Sequence, residues 1–328
     1  MIMNKIMSKK PWHPEKPTSK GATAYHDAVV NAQYYLENLD EMVDLVRPLI
    51  KDKNIVVDFG AGTGVSAMRL LNKLKADFKL LLVDNSAAWL GKAYEILSKN
   101  SNVQFYLLEK NNERYATLAE TIGMQAADHV ICANTVHLIP DLKEAFNGIS
   151  EALKPKGTFT FQSGNIMRRG RKEGILMVDD TVKRVHDLAL DIVKNDKKFS
   201  KYLGELDRHI ELESSQRKFV FPDPRPEEFY LKILESAGFT NQKSHYKLIK
   251  IAYSDWLDFL RVKRLQAGIL PEIGGKDPGP EEEKDRDDLI TMAANNLFAE
   301  LEKDNPMADN KSFTVEWVYG IAVKEKSD

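Results

Sequence analysis

The amino-acid sequence predicts an α/β fold: a doubly wound, mostly parallel sheet with an antiparallel last strand and a helical insertion after the fifth strand. Three observations predict it. Between residues 55 and 163 short apolar runs alternate with segments of helical periodicity, and continuously apolar strands need helices on both faces of a parallel sheet. The first run, "NIVVDFG", passes directly into the glycine turn "GAGTG" at 60–64. The last run places Phe313, Val315, Trp317, Tyr319, Ile321 and Val323 on alternate positions, the period of a strand.

Taken in order, residues 1–20 carry three prolines and several lysines without periodicity, and are expected to be mobile. From about 24 to 50 apolar residues recur at helical spacing, as in Val43, Leu45, Val46 and Leu49, with a break expected near Pro48. After the glycine turn a helix is expected over 65–75, with Val65, Met68, Leu71 and Leu74 on one face. "KLLLVD" (79–84) reads as the second strand, followed by a helix near 87–98. "NVQFYLLE" (102–109) and "DHVICAN" (128–134) read as the third and fourth strands. Asp141 and Glu144 have capping-box spacing before the helix "LKEAFNGISEALK". "PKG" ends that helix, and "TFTFQS" (158–163) is the fifth strand.

The segment 165–225 is strongly charged, helical in pattern, and closes with "FPDPRP". A helix stopped by Gly238, a strand near 243–252, and helices near 254–266 and 285–303 follow. The last two are separated by "LPEIGGKDPGPEEEKD", expected to be a loop. The expected organisation is a tail and helical cover (1–50), a ligand-binding core (51–164), a lid (165–225) and the remainder of the fold (226–328).

The 328 residues are 43% hydrophobic and 29% charged, enough for a sizeable core. A net charge of −2 lacks the basic excess of a nucleic-acid reader, so no nucleic-acid partner is expected. One cysteine, Cys132 in "HVICA", excludes an intrachain disulfide and a multi-cysteine zinc site, and reads as a buried thiol in a reducing compartment. Lysines 5, 9 and 10 interrupt the first residues, unlike a signal peptide. No run reaches the roughly 18 apolar residues of a membrane span. A cytoplasmic protein is expected, with no metal.

The turn selects among ligands. Gly60, Gly62 and Gly64 form G-x-G-x-G, with Val65 next. The third glycine of the dinucleotide fingerprint is therefore missing, and no Gly-Lys-Ser/Thr follows. Asp58 stands beneath the loop, where it repels a pyrophosphate and attracts an ammonium group. Asp84 ends the second strand 20 residues after Gly64, where an acid accepts the hydroxyls of a ribose. A ribose and an amino-acid ammonium without phosphates describe S-adenosylmethionine.

On these residues, and over roughly residues 50–164 and the last strand, the chain resembles the class I S-adenosylmethionine-dependent methyltransferases. "VVDFGAGTG" is similar to the first motif of that family, "LLLVDNSAAWLGKA" to the second, "VQFYLLEK" to the third, and "ADHVICANTVHLIPD" with "LKPKGTFTFQ" to the fourth and the fifth strand. The resemblance implies a seven-stranded sheet with its last strand antiparallel, and S-adenosyl-L-methionine as cofactor. Gly60, Ala61, Gly62, Thr63 and Gly64 would cradle it, with Asp58 beneath. Asp84, beside Asn85, would be the ribose acid, Trp89 would flank the adenine, and Glu109 would meet the adenine amino group. Asn134, Thr135 and the residues to His137 would border the methionine portion and the substrate. Tyr25 or Tyr34, on the N-terminal segment, would close over the cofactor.

Methyl transfer needs a nucleophile held about 3 Å from the methyl carbon, and neutral acceptors can also need a base. His137, following the fourth strand at the mouth of the sheet, is the candidate. His129 lies at the opposite end of that strand and is expected to be structural. His186 and His209, in the charged insertion, are within possible reach of a substrate. "RRGRK" (168–172) suits a carboxylate or phosphate, or a solvated face. The insertion and the helices at 254–303 are expected to roof the carboxyl ends of the strands and enclose a small-molecule methyl acceptor, oxygen before nitrogen or carbon. "ANTVHL" departs from the Asn/Asp-Pro-Pro-aromatic run of enzymes that methylate nucleobase amines. Two other readings remain: a non-catalytic cofactor-binding partner or regulatory protein, and a nicotinamide-dependent oxidoreductase, disfavoured by Val65 and Asp58. Either a monomer or a homodimer is compatible with this reading.

Overall fold

The computed structural model describes residues 10–112, 114–206, 217–304 and 311–325. Seven strands form one sheet: β1 (Ile55–Phe59), β2 (Lys79–Asp84), β3 (Val103–Leu107), β4 (Ala127–Ala133), β5 (Leu153–Ser163), β6 (Phe239–Ala252) and β7 (Ser312–Lys324). Their spatial order is β3-β2-β1-β4-β5-β7-β6. β1 pairs in parallel with β2 and β4, β2 with β3, and β4 with β5. β7 runs antiparallel between β5 and β6.

The apolar runs are explained by two cores, one on each face. Val56, Leu80, Leu82 and Ile131 point into one; Val57, Leu81, Val83 and Cys132 point into the other. Each such side chain contributes about 1.5–3 kcal/mol of burial, so a polar residue at any of these apolar positions would be costly. The first core is covered by α1 (Lys20–Val30), α2 (Gln33–Val46), α3 (Val65–Lys73) and α4 (Ala87–Leu97). The second is covered by α5 (Leu118–Ile122), α6 (Leu142–Ala152) and α8 (Glu227–Ser236). Asp141 caps α6 by accepting from the Glu144 N–H at 2.9 Å.

A helical cap extends the first core past the carboxyl ends of the strands. It joins α7 (Val178–Asn195), from the insertion after β5, to α9 (Tyr253–Leu260), α10 (Lys263–Ile269) and α11 (Pro280–Asp304), all between β6 and β7. Arg184 meets Glu300, and Lys198 meets Asp288. Such exposed pairs are worth about 0–1 kcal/mol each. The buried stripe of Val182, Val185 and Ala189 against Leu289, Ile290 and Ala293 carries the attachment.

The structure differs from the sequence reading in several places. β5 starts at Leu153, running through "PKG" rather than after it, and β6 starts at Phe239 rather than near 243. Residues 10–19 are laid along the sheet: the Trp12 N–H donates to the Phe105 carbonyl at 2.7 Å, and Thr18 donates to Glu95. This covers part of the open edge of β3; residues 1–9 lie outside the described residues. The helix expected over 24–50 is two, because Ala32 is extended (φ −74°, ψ 116°) and α2 restarts after it. The helix expected over 254–266 is likewise two, restarting after an extended Val262. α11 begins at Pro280, earlier than expected, since proline at the first helical position opens a helix. Glu281, Glu282 and Glu283 in its first turn complement the helix dipole. Residues 110–115, without a strand signal, make a small antiparallel pair, Lys110–Asn111 with Arg114–Tyr115. Among the described residues no helix is long and apolar enough to cross a membrane.

Candidate functional site

A cavity of about 900 Å³ opens at the carboxyl ends of the strands beneath the cap. Its floor is the glycine turn. Gly60, Gly62 and Gly64 have φ of +74°, +56° and +83°, conformations only glycine takes without cost. The Gly60 and Ala61 N–H groups both donate to the Val83 carbonyl (2.8 and 3.1 Å), tying the turn to β2. A Cβ on Gly60 would lie 2.3 Å from Thr135 Cγ2, so the turn after β1 and that after β4 touch without space between them.

Asp84 closes this corner. Its Oδ2 accepts from the Gly62 N–H and its Oδ1 from the Ser86 N–H, each at 2.8 Å. Burial raises its carboxyl above the usual range, opposed by these backbone donors and by Arg264. Trp89 stands beside it. The Tyr25 ring lies 4.4 Å from the Trp89 ring, and the Arg264 guanidinium 4.6 Å from it, so α1 and α10 both close on this residue. His26 Nδ1 lies 3.1 Å from Thr63 Oγ1, and burial lowers its pKa.

The fourth-motif residues form the next wall. Asn134 takes a left-handed φ of +49°, which asparagine tolerates better than most residues. Its amide donates to Asn38 Oδ1 (3.2 Å) and accepts from Trp317 Nε1 (3.1 Å). Gln162 Nε2 donates to the same Asn38 oxygen at 2.8 Å. Asn134 is thus held by α2, β5 and β7 together. Thr135 Oγ1 lies 3.1 Å from the Gly60 carbonyl.

His137 lies 2.9 Å, through Nδ1, from Ser163 Oγ. That oxygen also accepts from the Asn165 N–H at 2.9 Å. Burial, aided by the Arg225 charge, pulls the imidazole pKa down to about 4. It is neutral at physiological pH.

Of the expected cofactor residues, Tyr25, the loop from Gly60 to Thr63, Asp84, Asn85, Trp89, Asn134 and Thr135 line the cavity, as does His137. Gly64 lies just behind, as the N-cap of α3. Glu109 is exposed, one residue beyond the lining Leu108. Asp58 is fully buried and stands behind the wall: the lining residue Ser66 donates its hydroxyl to the Asp58 carboxylate. Asp58 Oδ1 has no hydrogen-bond partner among the described residues, and burial raises this carboxyl to about 7, with Ser66 opposing and Asp84 adding.

The sign of that shift gives an expected outcome. A carboxyl raised in the folded state contributes stability that is complete below the unfolded pKa of about 4 and lost as pH rises through about 7. Asp58→Asn keeps an acceptor for Ser66 and removes the charge. Its melting temperature relative to the wild type should therefore rise by roughly 3–8 °C between pH 5 and pH 8. An unchanged difference across that range would show that Asp58 is not held neutral.

The remaining candidates have structural partners. His129 bonds Thr158 and Asn54; His186 bonds Glu272 within the cap, at 2.6 Å; His209 lies outside the described residues. In the arginine run, Arg168 forks onto Glu316 (2.9 and 2.6 Å), Arg169 meets Glu228, and Arg171 meets Asp180. None of the three lines the cavity, so the run braces the fold. Sequence reasoning missed Tyr35, Ser163, Asn165, Trp256, Phe259 and Arg264, all of which line it. The three cap residues among them have the helical spacing of ordinary core residues, and nothing local marks them.

This arrangement fits S-adenosylmethionine. A glycine turn, a carboxylate at the end of β2 and a flanking tryptophan answer to its glycine cradle, ribose and adenine, and the turn lacks the fingerprint for a pyrophosphate. The family comparison agrees. Residues 50–238, more than half of the chain, match the family described as Methyltransferase domain. The carboxy-S-adenosyl-L-methionine synthase of Nautilia profundicola is 24% identical over 148 residues, 44% of this chain and 59% of that protein. The aligned stretch thus spans under two thirds of that relative. Among solved structures, YcgJ of Bacillus subtilis aligns at TM-score 0.49 and 14% identity, covering 88% of this chain and 99% of that one. Phosphoethanolamine N-methyltransferase 2 of Haemonchus contortus, solved with phosphomonomethylethanolamine and S-adenosylhomocysteine, aligns at 0.49 and 17%, covering 93% and 57%. The chain belongs to the methyltransferase-domain family, with the sheet order of the class I S-adenosylmethionine-dependent methyltransferases.

Proposed function

We propose that the chain transfers the methyl group of S-adenosylmethionine to a small molecule enclosed beneath the cap, with a hydroxyl oxygen as the acceptor atom. One observation carries the reading: the Gly60–Asp84–Trp89 wall and the His137–Ser163 pair line the same roofed cavity. Asp84 keeps lone pairs for the ribose hydroxyls while its backbone donors hold it still. Trp89 offers a face to the adenine, and Ser66, backed by Asp58, presents a polar oxygen to the amino-acid end. When bound, S-adenosylmethionine would supply an electrophilic methyl group, its sulfur keeping the bonding pair and becoming the neutral thioether of S-adenosylhomocysteine.

The chain itself supplies the place for the proton. Ser163 Oγ accepts from Asn165 and has a second lone pair. With Nδ1–H donating to that lone pair, His137 is left with an unprotonated Nε2. This nitrogen takes the proton from the acceptor hydroxyl. A base of pKa about 4 is unprotonated at neutral pH but weak, which suits a hydroxyl of phenolic acidity over an aliphatic one.

Isothermal titration tests the cofactor: S-adenosylhomocysteine should bind with micromolar or tighter affinity and NAD should not. Transfer of label from methyl-labelled cofactor to a panel of phenols, amines and carboxylic acids tests the reaction. On the acceptor that turns over, the acid limb of kcat/KM should fall near pH 4–5, below that of an ordinary histidine. His137→Ala should lower kcat by roughly a hundredfold. An acid limb near 6.5, or an undiminished kcat in the variant, would remove His137 as the base.

A further inference from the structure

Three of the exposed large apolar side chains line this cavity. Phe219 is 75% exposed, Tyr115 43% and Leu138 40%. They come from three separate segments: the short helical stretch 217–220 in the cap, the strand Arg114–Tyr115 after β3, and the 3-10 helix Val136–Leu138 after β4. Exposed apolar residues scattered singly need no explanation. Convergence of three segments on one cavity does.

Each of the three is held outward by a backbone that is itself fixed. Val220 sits over Gly268 of α10 so closely that a Cβ there would lie 2.4 Å from Val220 Cβ, and Phe221 turns inward and is buried. This helical stretch is therefore pinned to the cap, and Phe219 is left exposed. The Leu138 N–H donates to the Thr135 carbonyl at 2.8 Å. Tyr115 is paired across the small hairpin with Lys110. The same cavity has rings among its walls, those of Tyr35, Trp256, Phe259 and Trp317.

We infer that the methyl acceptor is an amphiphile, with one protic group beside His137 and an apolar ring or chain that runs outward between the aromatic walls and leaves past Leu138, Tyr115 and Phe219. The inference rests on the methyl-transfer reading of the cavity and adds the acceptor's chemical class to it. A compact polar acceptor would leave these three apolar side chains in water. An apolar body long enough to reach them removes both surfaces from water at once.

The test uses the full-length protein and a series of 4-alkylphenols, from methyl to nonyl, titrated calorimetrically with and without S-adenosylhomocysteine. Affinity should rise by roughly threefold for each added methylene that reaches apolar surface. Phe219→Ser, and separately Leu138→Ser, should weaken binding of the longest members by about tenfold and leave 4-methylphenol unchanged. Met124→Ser, which removes a 60%-exposed apolar side chain outside the cavity, should change neither. An affinity independent of chain length, or a slope that survives both the Phe219 and the Leu138 substitutions, overturns the inference. If the slope and its loss are seen but S-adenosylhomocysteine does not bind, the methyl-transfer reading falls instead.

Discussion

Asp84→Ala should weaken S-adenosylhomocysteine binding by about a hundredfold or more. The carboxylate has two tasks in this fold. It accepts from the Gly62 and Ser86 N–H groups at 2.8 Å, which sets the glycine turn at its distance from β2. Its remaining lone pairs face the cavity, where ribose hydroxyls would donate to a charged acceptor. Hydrogen bonds to charged groups are worth about 1.5–3 kcal/mol each, so losing two of them costs at least a hundredfold in affinity. Asp84→Asn should recover little of it. An amide has one acceptor oxygen, so its NH2 group must face either the Gly62 or the Ser86 N–H, donor against donor. Titration calorimetry on both variants, with a melting curve to confirm that each is folded, checks the result. Tight binding by Asp84→Asn would show that the charge and the paired acceptors are not what the site needs.

Gly60→Ala should be the most damaging small substitution in the turn. The added carbon meets Thr135 at 2.3 Å from Cγ2 and 2.8 Å from Cβ and Oγ1, at a backbone φ of +74°. Left-handed strain costs about 1–2 kcal/mol and overpacking about 1–3 kcal/mol. The sum, about 2–5 kcal/mol, corresponds to a fall in melting temperature of roughly 5–15 °C. Pairing it with Thr135→Ser, which removes Cγ2, should return part of the steric cost and none of the backbone strain, so the two effects should not add. Gly62→Ala offers the contrast. Its nearest neighbour would be Trp89 Cε3 at 3.6 Å, an ordinary contact, so the loss of stability should be limited to about the strain. Equal melting temperatures for the two alanine variants would disprove the close approach of Gly60 to Thr135.

Much of the cofactor side of the site was legible before the structure. The strand β1, the glycine turn and the first residues of α3 are consecutive, and their conformations follow from local chemistry: apolar β-branched residues, then glycines, then helical spacing. Asp84 is recognisable because a parallel crossover brings the end of β2 beside the end of β1. The alternation from Phe313 to Val323 marks β7 for the same local reason. Asp58 shows where local reasoning stops. Its position beneath the turn was evident, but the intervening Ser66 hydroxyl depends on how the first turn of α3 faces the strand.

The rest of the cavity wall was not legible. Asn134 is held by Asn38, on α2, and by Trp317, on β7, residues nearly 100 and more than 180 positions away. Trp256, Phe259 and Arg264 sit on helices whose periodicity would be the same if they faced a closed core. The arginines at 168–171 look in sequence like an anion site and are in fact neutralised by Glu316, Glu228 and Asp180. By itself, then, the sequence determined the sheet, the turn and the class of methyl donor, because periods of two and 3.6 and the needs of a glycine turn are properties of neighbouring residues. Only the tertiary structure decided what lines the rest of the cavity. An amphipathic helix records that one side is buried, and it takes the packing of the cap over the strand ends to leave a cavity on that side.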